Sequence, residues 1–143
     1  MILSVVDASV AVKWCLPASG EDFVVQAEEL LASYRREAQQ FLVPDLFWLE
    51  LTNALWKAFR KGKIDAQRAE RGLALVRGLD IPTIPSYDLV PQTLRLALKY
   101  GRTAYDSVSV ALALQSKADL ITADEGLANA LAAHLPVKWL GAL

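Results

Sequence analysis

The sequence predicts an α/β fold, a three-layer α/β/α arrangement around a central, mainly parallel sheet, and three observations lead there. An apolar, β-branched run at residues 2–6 stops at Asp7 and gives way to a short helical stretch, and the pattern of strand, polar tip and helix recurs at 119–125. Between these two points strand-like runs alternate with segments of helical periodicity, which implies right-handed crossovers and a sheet covered on both faces. A chain of 143 residues, 54% of them hydrophobic, can bury one continuous core, so a single domain over 1–143 is expected.

After Asp7, Ser9 opens a helical stretch that runs through Cys15 before Pro17. From Glu21 to about Gln39 the apolar positions Phe23, Val24, Ala27, Leu30, Leu31 and Tyr34 recur at helical spacing, and Phe41-Leu42-Val43 reads as a short buried strand ending at Pro44. Asp45 is a suitable N-cap for a helix that ends near Lys61-Gly62, and Asp65 for one that ends near Gly78. Residues 81–85 hold two prolines and can form only a short strand. A helix is expected from Asp88 to Tyr100, where Gly101 breaks it, and another from Thr103 through Ser116, small and apolar enough to be buried on most sides. Asp119–Ala123 is a strand leading into Asp124 and a helix over about 125–133, and Val137–Leu140 is a last edge strand.

Composition excludes several classes. A net charge of −1 and a pI near 5.8 argue against bulk electrostatic attraction of nucleic acid, so any such binding is local. Lys57, Arg60, Lys61 and Lys63, with Lys99 and Arg102 further on, are candidates for holding flanking phosphates; their plainer role is as solvated cations at helix ends. One cysteine forms no internal disulfide, no apolar run reaches the length of a membrane span, and the N-terminus lacks the features of a signal peptide, so a cytoplasmic protein is expected.

Parallel α/β sheets build their sites beyond the C-terminal ends of the strands. Asp7 and Asp124 lie at two such ends, Glu50 lies on the helix after the 41–43 strand with Asn53 on the same face, and Asp106 lies in the first turn of the Thr103 helix. Each has a plainer explanation. Asp7 and Asp124 can act as N-caps, and Thr103-Ala-Tyr-Asp106 resembles a capping box. Glu50 is the hardest to explain away, because Leu46, Phe47, Trp48, Leu49, Leu51 and Leu55 surround it and a carboxylate there needs a partner or a cation. Clustered carboxylates repel, and a hard divalent ion such as Mg²⁺ or Mn²⁺ relieves that repulsion with oxygen ligands alone. Zinc is disfavoured by a chain with one histidine, His134, and one cysteine, Cys15, which reads as core packing.

The segments Val5-Val6-Asp7-Ala8-Ser9, Val43-Pro44-Asp45 leading to Glu50-Leu-Thr-Asn53, Tyr105-Asp106, and Leu120-Ile-Thr-Ala-Asp124 resemble, in this order, the acidic motifs of PIN domains, and most closely those of VapC-type toxins of prokaryotic toxin–antitoxin pairs. The resemblance spans essentially the whole chain. It implies an RNA-hydrolysing nuclease using Mg²⁺ or Mn²⁺, with Asp7, Glu50, Asp106 and Asp124 as the acidic cluster and Asp7 and Asp106 foremost as metal ligands. Ser9, Asn53 and Thr122 become candidates for supporting those ligands, although each also has a local role open to it. A homodimer and an antitoxin that covers the site are implied as partners. Two other classes stay in view. One is a PIN-like RNA-binding or regulatory protein that no longer cleaves; the other is a phospho-acceptor receiver domain, disfavoured because Asp7 is followed by Ala8 rather than a second acid.

Overall fold

Two parallel pairings fix the centre of the molecule, described here over residues 1–143 from a computed structural model. Strand β1 (Ile2–Val6) pairs on one side with β2 (Gln39–Pro44) and on the other with β4 (Asp119–Thr122). β3 (Thr83–Ile84) and β5 (Val137–Trp139) complete the edges, giving a five-stranded, all-parallel sheet in the order β3-β2-β1-β4-β5. The helices are α1 (Ala8–Ala11), α2 (Val24–Arg35), α3 (Leu46–Arg60), α4 (Ala66–Arg77), α5 (Val90–Tyr100), α6 (Ala104–Ser116) and α7 (Glu125–Leu131).

Side-chain alternation along the strands separates two cores, as a sheet buried on both faces requires. Val6, Phe41, Val43 and Ile121 point to one face and pack with Val10, Ala27, Phe47, Leu51 and Val76 from α1 to α4. Val5, Leu120 and Val137 point to the other and pack with Val110, Leu112, Leu127 and Leu131 from α6 and α7. The expected three-layer α/β/α architecture is therefore present. Gly72 on α4 belongs to the first core for a steric reason: a Cβ there would stand 2.7 Å from the Cys15 Cβ, so only glycine lets the two segments approach this closely.

Several expected boundaries move. The helix expected from Glu21 begins at Val24 and ends at Arg35, because Phe23 takes a left-handed conformation (φ 58°) and the chain turns before β2. β2 starts earlier than its apolar core, at Gln39, because parallel pairing with Ile2 recruits a polar residue into the ladder. Asp45 does not cap α3: its backbone is already helical, and its Oδ2 instead accepts from the Ser86 amide at 3.1 Å, tying the end of β2 to the chain after β3. Asp65 caps as expected, accepting from the Arg68 amide. The helix expected from Asp88 opens as a 3-10 turn at Tyr87–Leu89 before α5. α6 is buried continuously from Ser107 to Ala113, as its small residues suggest.

α3 packs against α1 and α4 and contributes its buried stripe to the first core. That stripe is Phe47, Leu51, Leu55 and Ala58, which leaves Trp56 and Phe59 about half exposed.

Candidate active site

The C-terminal edge of the sheet brings the sequence-predicted acids together. The Asp7 amide donates to the Ile121 carbonyl at 3.0 Å, extending the β1–β4 ladder by one step and setting Asp7 beside Thr122. Two hydroxyls converge on one oxygen of that carboxylate: Ser9 Oγ donates to Asp7 Oδ2 at 2.6 Å and Thr122 Oγ1 donates to the same atom at 2.8 Å. Both hydroxyls also accept, Ser9 from the Ala123 amide (2.9 Å) and Thr122 from the Asp124 amide (3.0 Å). Ser9 and Thr122 therefore orient Asp7 and lock the tip of β4, a role beyond local capping.

Asp7 stands at the N-cap position of α1, yet its side chain makes no capping hydrogen bond. The capping explanation fails for this residue. Burial pushes its carboxyl above the usual range, and Asp124 adds to the rise, while the Ser9 and Thr122 hydroxyls oppose it. No cation pairs with it. For Asp124 the capping explanation holds, since Oδ1 accepts from the Leu127 amide at 3.1 Å, and its charge is nonetheless near enough to act on Asp7.

Glu50 projects from the first turns of α3, and its carboxyl is pushed up to about 7 by burial first, then by the charges of Asp7 and Asp106. That places Glu50 within the fields of both Asp7 and Asp106. Asp106 sits in the first turn of α6 with its amide on Thr103 Oγ1 at 3.0 Å, half of the expected capping box. Its carboxylate is turned the other way, to Arg102, whose guanidinium approaches Oδ2 at 3.2 Å. Arg102 is thus engaged with an acid, and its buried Nε has no partner. The Arg102–Asp106 pair escaped the sequence reading, although the i,i+4 spacing was there to show it. Asn53 shares the Glu50 face but is exposed and outside the hydroxyl network. As they stand, no three acidic, histidine or cysteine side chains are gathered tightly enough to ring one ion.

A family model described as the PIN domain matches residues 4–131, which include all four acids. The chain belongs to the PIN domain family. It is 34% identical over 127 residues to Ribonuclease VapC3 of Pyrobaculum aerophilum, an alignment covering 87% of this chain and 92% of that protein. Among solved structures, PAE2754 from Pyrobaculum aerophilum superposes with a TM-score of 0.72 at 23% identity, covering 99% of this chain and 85% of that one. A toxin–antitoxin complex from Klebsiella pneumoniae superposes with a TM-score of 0.61 at 19% identity, covering 94% and 95% of the two chains. Membership of the PIN domain family sets the receiver-domain alternative aside.

The raised acid fixes the sign of a pH effect. With its folded value near 7 and its ordinary value at 4.5, Glu50 holds more protons folded than unfolded between those limits, so the stability of the metal-free protein falls as pH rises through that window. Glu50→Gln is therefore expected to raise stability at about pH 8 by roughly 1–3 kcal/mol and to leave it nearly unchanged at about pH 4. Urea unfolding at the two pH values checks this; a variant no more stable than wild type at the higher pH would contradict it.

Proposed function

We propose that this chain is a divalent-cation-dependent endoribonuclease of the VapC type, the toxin of a toxin–antitoxin pair, acting in the cytoplasm. The observation that carries the reading is Asp7: a half-buried carboxylate raised chiefly by burial and further by a second acid, held by two hydroxyls and left without a cation. The 34% identity to Ribonuclease VapC3 supplies the reaction class. Both the family and an all-oxygen donor set suit Mg²⁺ or Mn²⁺, which bind through one or two carboxylates and retain water, so no ring of three protein ligands is required. Softer ligands are missing from the site: Cys15 lies in the first core with its thiol pushed up to about 11 by burial, and His134 is exposed after α7.

Asp7 and Asp106 would hold the cation, with Glu50 and Asp124 completing the cluster. Bound there, it supplies Lewis-acid charge at the scissile phosphate. Ser9 and Thr122 fix the direction of the Asp7 carboxylate, a contribution of the kind that typically changes metal affinity by about 10–100-fold when removed. Arg102 pairs with Asp106 at 3.2 Å, a contact that cation binding by Asp106 would compete with.

The antitoxin partner rests on the family resemblance and on the Klebsiella complex. A homodimer has support in this chain's own surface. Val90, Leu94 and Leu98 recur every four residues along α5 and are 56%, 56% and 76% exposed, and Val90 lines one cavity with the exposed Leu49 and Tyr105. Several such side chains approach the apolar part of a standard interface, about 800 Å² per partner.

Purified wild type is expected to cleave single-stranded RNA with Mg²⁺ or Mn²⁺ and not with chelator. Asp7→Asn should abolish cleavage with folding intact, and Ser9→Ala should raise the Mn²⁺ concentration needed about tenfold. Binding of RNA without cation-dependent cleavage would select the non-cleaving reading instead. For the dimer, Leu94→Glu is expected to sediment as a monomer where wild type sediments as a dimer; equal sedimentation of the two would remove the α5 face from the account.

A further inference from the structure

The outer face of α3 carries a combination that neither the core nor the acid cluster uses. Trp56 and Phe59 are 50% and 46% exposed on a helix whose apolar stripe is already buried elsewhere. Arg60 lies over the Trp56 ring, its guanidinium carbon 5.1 Å from the ring centroid. Lys57, Arg60 and Lys61 are exposed and join no ion pair, whereas Lys63 leans to Glu21 at 3.8 Å. In a chain of net charge −1 this is a local concentration of free cation.

Helical register connects the lysines beside those aromatics to the acids. Asn53, Lys57 and Lys61 follow Glu50 at three, seven and eleven residues, along one side of the helix. At 1.5 Å per residue Lys57 stands about 10 Å and Lys61 about 16 Å along the axis from Glu50, the reach of a few nucleotides.

We propose that the outer face of α3 is a track for single-stranded RNA, on which a base stacks against Trp56 while Lys57, Arg60 and Lys61 hold the phosphates leading to the acid cluster. The proposal rests on the ribonuclease reading and adds the substrate's path. An aromatic ring beside free cations is the combination that binds unpaired strands, since every base offers a π-face and the guanidinium adds cation–π attraction. A duplex keeps its bases stacked on one another and offers Trp56 none. A second copy of the chain fits this face poorly, because a two-fold contact sets a patch against itself and would bring these cations together. The α5 face carries three exposed apolar side chains, Val90, Leu94 and Leu98, beside the exposed cations Arg95 and Lys99.

The test uses Asp7→Asn protein, so that nothing is cut, and a fluorescent single-stranded RNA that the wild type cleaves, with anisotropy read across a salt series. Trp56→Ala in that background is expected to weaken binding about tenfold with the salt slope retained, and Trp56→Phe to recover most of the loss. Lys57→Gln with Lys61→Gln should weaken binding and flatten the salt slope by about one per residue, while Arg35→Gln on α2 should change neither. Retained folding is read from the thermal midpoint of each variant. If the Trp56 and lysine variants bind as tightly as their parent, the track is wrong while the ribonuclease reading stands. If Trp56→Ala alters sedimentation and leaves RNA affinity unchanged, the face is a protein contact and the track is equally overturned. If wild type neither binds nor cleaves RNA, the ribonuclease reading falls and the track falls with it.

Discussion

The pairing of β1 with β4 is the constraint on which the rest of the site depends. One backbone hydrogen bond beyond the strand, from the Asp7 amide to the Ile121 carbonyl, aligns residue 7 with residue 122 although 115 positions separate them in the chain. From that alignment follow the Thr122 hydroxyl on Asp7, the Ser9 hydroxyl that bridges Asp7 to the Ala123 amide, and the start of α7 at Asp124. Slipping the register by one residue would exchange Val5 with Val6 and Leu120 with Ile121 between the two cores, so packing on both faces enforces the geometry at the edge.

That rigid edge holds together groups that repel one another. Asp7 and Glu50 are both raised, each chiefly by burial and further by a neighbouring acid. The fold relieves only part of the conflict, through two hydroxyls on Asp7 and one arginine on Asp106. Strain of this kind is what a stable scaffold sustains at a working site, where unfavourable local electrostatics are offset by packing elsewhere. A divalent cation bound there would convert the repulsion into attraction, and Lys57, Arg60 and Lys61 on α3 join no ion pair with these acids.

Much of this was legible in the sequence because it is local. The apolar run of β1 stopping at Asp7, the caps at Asp65 and Thr103, and the small-residue α6 each follow from neighbouring residues. Asp7, Asp106 and Asp124 could be named because they fall at strand ends or in a first turn, and Glu50 because its apolar sequence neighbours leave a carboxylate there unexplained. What could not be read depends on distant partners. Asp45 has the residue type of a helix cap, but the Ser86 amide reaches it from the far side of β3. Asp7 also has the type of a cap, and only the alignment with Thr122 shows that its carboxylate is committed elsewhere. Trp56 and Phe59 are exposed because the neighbouring helices α1 and α4 and the first core take up the stripe of Phe47, Leu51, Leu55 and Ala58 instead.

The most direct test is a carboxyl-carbon NMR titration of the purified protein, first without divalent cation and then with Mg²⁺. The account predicts that Glu50 titrates near 7 in the absence of cation and that Mg²⁺ moves its titration, and that of Asp7, to lower pH as the repulsion is relieved. A Glu50 that titrates at the ordinary glutamate value and does not respond to Mg²⁺ would contradict the claim that these acids form one cation-binding cluster.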